Sequence, residues 1–273
     1  MRFSVLISVY KNDKAADFRI ALESITTNQT LKPSEVVLVI DGPVPEDTNR
    51  VISDVEVANP GLYKVVRFEQ NQGLGIALQK GLEAASYEIV MRMDSDDIAV
   101  PDRFEKQYHY MVEHPNVAVC GGQIDEFVDD VNNVIGRRIV PCVNDDIYMY
   151  MKTRCAFNHM TVALRRTKIM EVGNYQPWLW NEDYYLWIRL MIAGCEFANL
   201  PDKLVNVRTG EKMYQRRGGK KYFDSELGIQ KYMYNNHLIG ERVFLANVVK
   251  RLIVQVLLPN RVRGWVFRTF ARK

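Results

Sequence analysis

The densest chemistry in this 273-residue chain is the hexapeptide Arg92-Met93-Asp94-Ser95-Asp96-Asp97. Three carboxylates within four residues repel one another unless a cation or a helix N-terminus offsets their charge. Alternation along an extended chain puts Asp94 and Asp96 on one side, where both can address an oxygen-seeking ion such as Mg2+ or Mn2+, which also binds substrate phosphates. The other reading is an acidic turn that caps a helix beginning near Pro101. The position of the acids at the end of a predicted strand favours the metal. A second acidic pair, Glu182-Asp183, follows Asn181 and lies among Trp178, Trp180 and Trp187. Acids in a first helical turn can be dipole partners only, or they can supply a general base beside an aromatic platform for a sugar ring.

These residues need elements to hold them. Residues 3–9 read as a strand, Phe18, Leu22 and Ile25 as one helix face, and 35–40 as a buried strand stopped by Asp41-Gly42-Pro43. A polar helix over 46–57, a strand over 63–68, a helix marked by Leu74, Leu78, Leu82 and Ala85, and a strand over 88–93 follow. Such alternation implies right-handed βαβ units and a mainly parallel sheet covered by helices on both faces, with ligands at the carboxyl ends of its strands. After Pro101 the spacing predicts a helix to Glu113, a strand at 117–120, and a hairpin of 123–128 with 134–140. A short strand at 161–164 and a helix over 181–193, with Asn181 as N-cap and Gly194 as its stop, complete the pattern. Gly73-Leu74-Gly75 begins like a dinucleotide fingerprint, but it lacks the third glycine and follows the third strand rather than the first.

Composition narrows the class. With 36 Lys and Arg against 33 Asp and Glu, the near-balance argues against a nucleic-acid partner. The balance hides an asymmetry: from Arg242 to the end there are eight cations and no acid, which leaves 28 cations and 33 acids in residues 1–241. The four cysteines form no metal-binding pair and read as free thiols of a reducing cytoplasm. The N-terminus carries too short an apolar run for a secretory signal and reads as the first strand. Toward the other end Val243, Phe244, Val248, Val249, Leu252, Ile253, Val256 and Leu257 mark an apolar helical face up to Pro259. Lys250 and Arg251 interrupt it before it reaches the ~20 residues that would span a bilayer. Beyond the proline, five cations interleave with Val262, Trp265, Val266, Phe267 and Phe270, a pattern that suits the headgroup region of an anionic membrane. A helix packed on the body with a solvated basic end is the other reading.

Five landmarks in order resemble a known family. Residues 4–10, Val37-Leu38-Val39-Ile40-Asp41-Gly42, Asn71-Gln72-Gly73-Leu74-Gly75, the hexapeptide from Arg92, and Asn181-Glu182-Asp183 with Leu186-Trp187-Ile188-Arg189-Leu190 are similar to those of family-2 glycosyltransferases with the GT-A fold. The resemblance runs over residues 4–208. It implies that Ser8, Val9, Tyr10 and Asp41 hold the base and ribose of a nucleotide. Asp94 and Asp96 match the DxD motif, with Asp96 the direct Mn2+ or Mg2+ ligand and Asp94 nearer the ribose. Asp183 then matches the base that deprotonates the acceptor hydroxyl for an inverting displacement. His159, in Phe157-Asn158-His159-Met160-Thr161, resembles an acceptor-side segment of the bacterial polysaccharide branch, although a lone His before a strand is also compatible with a structural role. Arg208 with Arg216, Arg217, Lys220 and Lys221 around Gly218-Gly219 reads either as a basic lid over a diphosphate or as an exposed loop.

The chain departs from the family in two places. No His follows Arg208 closely, and Gln215 does not begin the Gln-x-x-Arg-Trp motif of processive synthases, which favours single transfers. The expected organisation is a GT-A catalytic domain over 1–210, a basic loop and helix over 211–241, and a membrane-associating segment over 242–273. The expected activity is transfer of one sugar, from a UDP-sugar or similar donor, to a glycan or lipid-linked acceptor at the inner face of the cell membrane. A sugar nucleotidyltransferase or a non-catalytic membrane scaffold with the same fold are the alternatives. The first lacks its glycine-rich loop here, because Lys11-Asn12-Asp13-Lys14 follows the first strand.

Overall fold

The computed structural model describes residues 1–210 and 218–258, so the expectations for Arg216, Arg217 and the segment 259–273 lie outside the described residues. The alternation of the first strands sets the architecture. In β1 (Ser4–Val9), Val5, Ile7 and Val9 enter one hydrophobic cluster and Leu6 enters another. The division continues in β2 (Glu35–Ile40), where Val36, Leu38 and Ile40 go one way and Val37 and Val39 the other. Side chains alternate with a period of two, so a strand apolar on both faces requires a covering layer on each. One layer contains Phe18, Ala21 and Leu22 of α1 (Ala15–Ser24) with Val51 and Ile52 of α2 (Glu46–Ala58). The opposite layer contains Ala77, Leu78 and Leu82 of α3 (Leu74–Ala84). With β3 (Tyr63–Arg67) and β4 (Ile89–Met93) these strands form a parallel block in the order β3-β2-β1-β4.

Beyond β4 the sheet is mixed rather than parallel. The short β8 (Ala163–Arg165) runs antiparallel to β4 and to β6 (Val117–Phe127). On the far side β9 (Glu196–Arg208) runs parallel to β6, and β5 (Ile98–Ala99) closes the row antiparallel to β9. The expected hairpin forms between β6 and β7 (Val134–Arg138), but the two strands expected at 117–120 and 123–128 are one. β9 is not foreseen from sequence, because Leu200-Pro201-Asp202 reads as a turn. The strand passes through that tripeptide where its register with β6 shifts, between Gly121 and Gln123.

The remaining helices are α4 (Arg103–Glu113), α5 (Asn144–Met151), α6 (Arg166–Glu171), α7 (Glu182–Ile192), α8 (Lys220–Asn235) and α9 (Glu241–Arg251). A π-helical turn, Leu252–Leu257, continues α9. α7 is buried over most of its circumference and, as expected, ends near a glycine, Gly194 with φ +72°. Asn181 precedes it but does not cap it: its Nδ2 donates to Ser225 Oγ on α8 at 3.0 Å. All four cysteines are free thiols.

The fit of α3 on the sheet rests on Gly81. A Cβ at this position would stand 2.2 Å from Leu6 Cδ1 and 2.9 Å from Val39 Cγ2, so helix and strand meet through a missing side chain. Gly81→Val is expected to destabilise the fold by about 1–3 kcal/mol or more through overpacking, read as a lower urea midpoint.

Candidate active site

The acids of the hexapeptide emerge from the end of β4, and a buried cation lies under them. Arg92 is only 2% exposed, yet both its terminal nitrogens reach the Asp94 carboxylate, Nη1 at 3.0 Å from Oδ2 and Nη2 on Oδ1. Arg103 of α4 supports it from behind by donating from Nη2 to the Arg92 carbonyl at 2.6 Å. Asp96 has no such partner. Burial, then the charges of Asp94 and Asp13, push its carboxyl up to about 6. Burial also raises Asp97 well above the usual carboxylate range, although its Oδ1 accepts the Arg208 backbone N–H at 2.8 Å.

The loop after β1 closes on the same acids. Tyr10 N donates to Asp13 Oδ2 at 3.0 Å and Ser95 Oγ donates to the same oxygen at 2.7 Å, which ties the end of β1 to the end of β4. Burial raises the Asp13 pKa as well. Val9 turns its side chain into the core, so of the expected nucleotide contacts only its main chain is available, whereas Ser8 and Tyr10 are part-exposed. Asp41, at the end of β2, is already engaged: its carboxylate accepts from Gln72 N at 2.7 Å, Gly73 N at 2.9 Å and Asn71 Nδ2 at 2.8 Å, and so braces the approach to α3.

The start of α3 brings in the second acidic pair. A Cβ on Gly75 would lie 3.4 Å from Glu182 Cβ, so the first turns of α3 and α7 touch. Glu182 is pushed up to about 7 by burial and then by Asp183, while Arg92 pulls it down. Asp183 Oδ1 accepts the Tyr184 N–H at 2.7 Å, and its Oδ2 faces His159 Nδ1 at 3.9 Å. The other ring nitrogen, Nε2, lies 2.9 Å from the hydroxyl of the buried Tyr175. Burial holds the His159 pKa well below its ordinary value, so the ring is neutral beside Asp183. His159 is thereby both structural and adjacent to the predicted base. Trp180 stands half-exposed at φ +60°, its ring tilted against Tyr222 of α8.

Arg208, read from sequence either as part of a basic lid over a diphosphate or as part of an exposed loop, makes its contacts beside the acids that follow β4. At the end of β9 its guanidinium lies over the Phe127 ring, 3.1 Å from Asp17 Oδ1 and 3.2 Å from the Asp96 carbonyl. Sequence reasoning gave no role to Arg92 or Arg103 and passed over Asp13 and Tyr175. Only the spacing Tyr10 to Asp13, which suits a local side-chain turn, carried a signal. No cluster of three or more His, Cys, Asp or Glu able to hold a metal exists among the described residues. Asp94 and Asp96 are instead the kind of donor set that Mg2+ or Mn2+ uses when substrate phosphates and water complete its shell.

Two acidic pairs, one at a strand end and one at a helix start, thus share the field of the buried Arg92. The description "Glycosyl transferase family 2" fits residues 4–173, and "Glycosyl transferase family group 2" fits residues 89–270. The chain belongs to glycosyl transferase family 2. It is 40% identical over 255 residues to the amylovoran biosynthesis glycosyltransferase AmsE of Erwinia amylovora, covering 92% of this chain and 94% of that one. It is 35% identical over 273 residues, 100% and 97% of the two chains, to the UDP-Gal:alpha-D-GlcNAc-diphosphoundecaprenol beta-1,3-galactosyltransferase of Escherichia coli. Its fold matches the crystal structure of S. aureus TarS 1-349 in complex with UDP-GlcNAc with a TM-score of 0.67 at 18% identity, over 98% of this chain and 76% of that one. The family-2 chain is therefore a glycosyltransferase with the GT-A fold.

The raised pKa of Glu182 has a stability consequence in this glycosyltransferase. Glu182 binds its proton more tightly folded than unfolded, so its ionisation subtracts stability as pH rises from the ordinary glutamate range through about 7. Glu182→Gln escapes that loss. The Tm of the variant minus that of the parent is expected to grow between about pH 5 and about pH 8, measured by calorimetry on both proteins; a constant difference would count against it.

Proposed function

We propose that this chain transfers one sugar from a UDP-sugar, with inversion and with the help of Mn2+ or Mg2+, to a glycan or lipid-linked acceptor in surface polysaccharide synthesis. The observation that carries the reading is the pair of acidic groups, Asp94 and Asp96 at the end of β4 and Glu182 and Asp183 at the start of α7, both within the field of Arg92. The two curated relatives act in amylovoran biosynthesis and on a diphosphoundecaprenol-linked GlcNAc by name, and TarS is seen with UDP-GlcNAc. In this reading Asp96 is the direct ligand of the ion, which would supply charge compensation to the diphosphate, and Asp94, paired with Arg92, completes the DxD site nearer the ribose. Ser8, Tyr10 and the main chain of Val9 line the base and ribose side, with Asp41 bracing the adjoining loop. Asp183 takes the acceptor proton as the acceptor oxygen bonds to the anomeric carbon and the bond to the diphosphate breaks. His159, held by Tyr175, keeps the base in place, and Trp180 and Arg208 flank the acceptor and the diphosphate. The basic segment 259–273 attaches the enzyme to the anionic inner face of the membrane, because its cations have no acids beside them. Among the described residues no helix is long and apolar enough to cross a membrane.

Two variants separate the roles. Asp96→Ala is expected to abolish Mn2+-dependent binding of the donor, followed as the rise in Tm on adding nucleotide sugar with and without the ion. Normal ion-dependent binding in that variant would remove Asp96 from the site. Asp183→Asn keeps the shape of the side chain but not its basicity, so donor binding should persist while transfer falls by roughly 10²–10⁴, the usual contribution of a general base. Single-turnover transfer to a lipid-diphosphate-linked GlcNAc measures it, and near-parental rates would assign the proton to another group.

A further inference from the structure

The last described helix turns several polar side chains inward and several apolar ones outward. In α9 and the π-helical turn after it, the buried side chains are Asn247 and Gln255. Asn247 Nδ2 donates to the Lys152 carbonyl at 2.9 Å and to Gln230 Oε1 at 2.8 Å. One turn on, Arg251 is nearly buried against the equally buried Glu226 of α8, and its Nη2 donates to the Thr153 carbonyl at 2.8 Å. The spacing 247, 251, 255 is that of one helical face, which turns these polar residues inward beside the partly buried Phe244, packed on the core and on Tyr234. Leu245, Val249, Leu252 and Val256 follow the complementary spacing and are 52%, 53%, 38% and 39% exposed, with Ile253 and Leu257 beside them.

A surface helix in water shows the opposite arrangement. The inward polar set explains why this one cannot turn over: half a rotation would bring the apolar face in but leave Glu226 buried without its cation, and an uncompensated buried charge is among the most costly defects in a fold. The apolar strip is thus fixed outward, uncovered by any other element among the described residues. Its surroundings identify what covers it. After Glu241 the sequence has no acid, Arg242 and Lys250 are exposed on α9 itself, and five further cations follow Pro259. An apolar strip too short to cross a bilayer, with Arg242 and Lys250 exposed on the same helix, complements the headgroup and upper acyl layers of an anionic membrane.

We infer that the outward face of α9, from Leu245 to Val256, is a shallow insertion surface for an anionic lipid bilayer, distinct from electrostatic attachment by the chain end. The inference deepens the reading that the acceptor is lipid-linked and rests on it. α9 packs on α8, and Ser225 of α8 holds both Asn181 and Trp178, its Oγ accepting from Asn181 and its carbonyl accepting from Trp178 Nε1 at 3.2 Å. The lipid surface therefore stands two packed helices from the start of α7, where Asp183 meets the acceptor.

The test uses the full chain, a 259–273 deletion, and a combined Leu245→Ser, Val249→Ser, Leu252→Ser, Val256→Ser variant, whose positions are exposed. Each is sedimented with phosphatidylcholine/phosphatidylglycerol vesicles at low and high salt. Salt screens the cations of the chain end but not apolar insertion. At high salt the full chain and the deletion are expected to stay bound, and the serine variant to bind at least about tenfold more weakly. A Leu252→Trp variant should gain blue-shifted emission, relative to the parent chain, when vesicles are added. Equal vesicle binding by the serine variant and the parent at high salt would overturn the inference. So would a dimer in light scattering that the serine substitutions abolish, which would assign the face to a second copy. Emission from Leu252→Trp that is already blue-shifted without vesicles, and reverts on deleting 259–273, would assign it to the chain's own end. Transfer to a short soluble GlcNAc-diphosphate acceptor should be equal in the serine variant and the parent. Its absence in both would strike the proposed activity and leave the vesicle result to decide the surface.

Discussion

The Arg92 guanidinium is buried at the end of the parallel block, and the acids around it come from two distant parts of the chain. Taking a cation out of water costs several kcal/mol, and that cost is offset only where carboxylates and carbonyls surround it. Asp94 supplies the direct pair, and Asp96, Asp97 and Glu182 all feel its field. The dependence runs both ways. Without the arginine, the acids at the end of β4 would repel one another in a water-poor site, and Glu182 would lose the neighbouring cation that favours its charged form. β4 can hold the residue because the register with β1 on one side and β8 on the other fixes its backbone, with Arg92 N donating to the Val162 carbonyl.

Burial, with the neighbouring acids adding to it, explains why several carboxyls here hold protons more tightly than usual. Asp13, Asp96, Asp97 and Glu182 are all raised, each chiefly by burial. A protein that only needed stability would not gather Asp96, Asp97 and Glu182 round one arginine, since apolar residues of the same size would serve better. The proposed binding of a diphosphate donor with its cation would give these acids a use.

The first four strands and the helices between them were legible because strands buried on both faces leave continuous apolar runs bounded by Asp, Gly and Pro. The acids at their ends were legible for the same reason, since the end of a strand is visible where the run stops. β9 was hidden by Leu200-Pro201-Asp202, and its pairing partner β6 was split by Gly121-Gly122, so two irregularities that meet in space looked like two separate breaks. The engagement of Asp41 by three N–H groups, and of Asp94 by a residue two positions back, depends on backbone direction that periodicity does not encode. The orientation of α9 is the sharpest case. Spacing tells which residues share a face, but whether that face looks inward is decided by Lys152, Thr153, Glu226 and Gln230, none of them near it in sequence.

The two-sided burial of β1 has a consequence for how the chain can change. Its neighbours β2 and β4 flank it, Val5, Ile7 and Val9 belong to one cluster, and Leu6 belongs to the other. Inserting or removing one residue inside β1 would exchange the occupants of both clusters at once and shift Tyr10 and Asp13 away from Ser95. Length variation is thus excluded from this strand, while residue-by-residue exchange of one aliphatic side chain for another stays open.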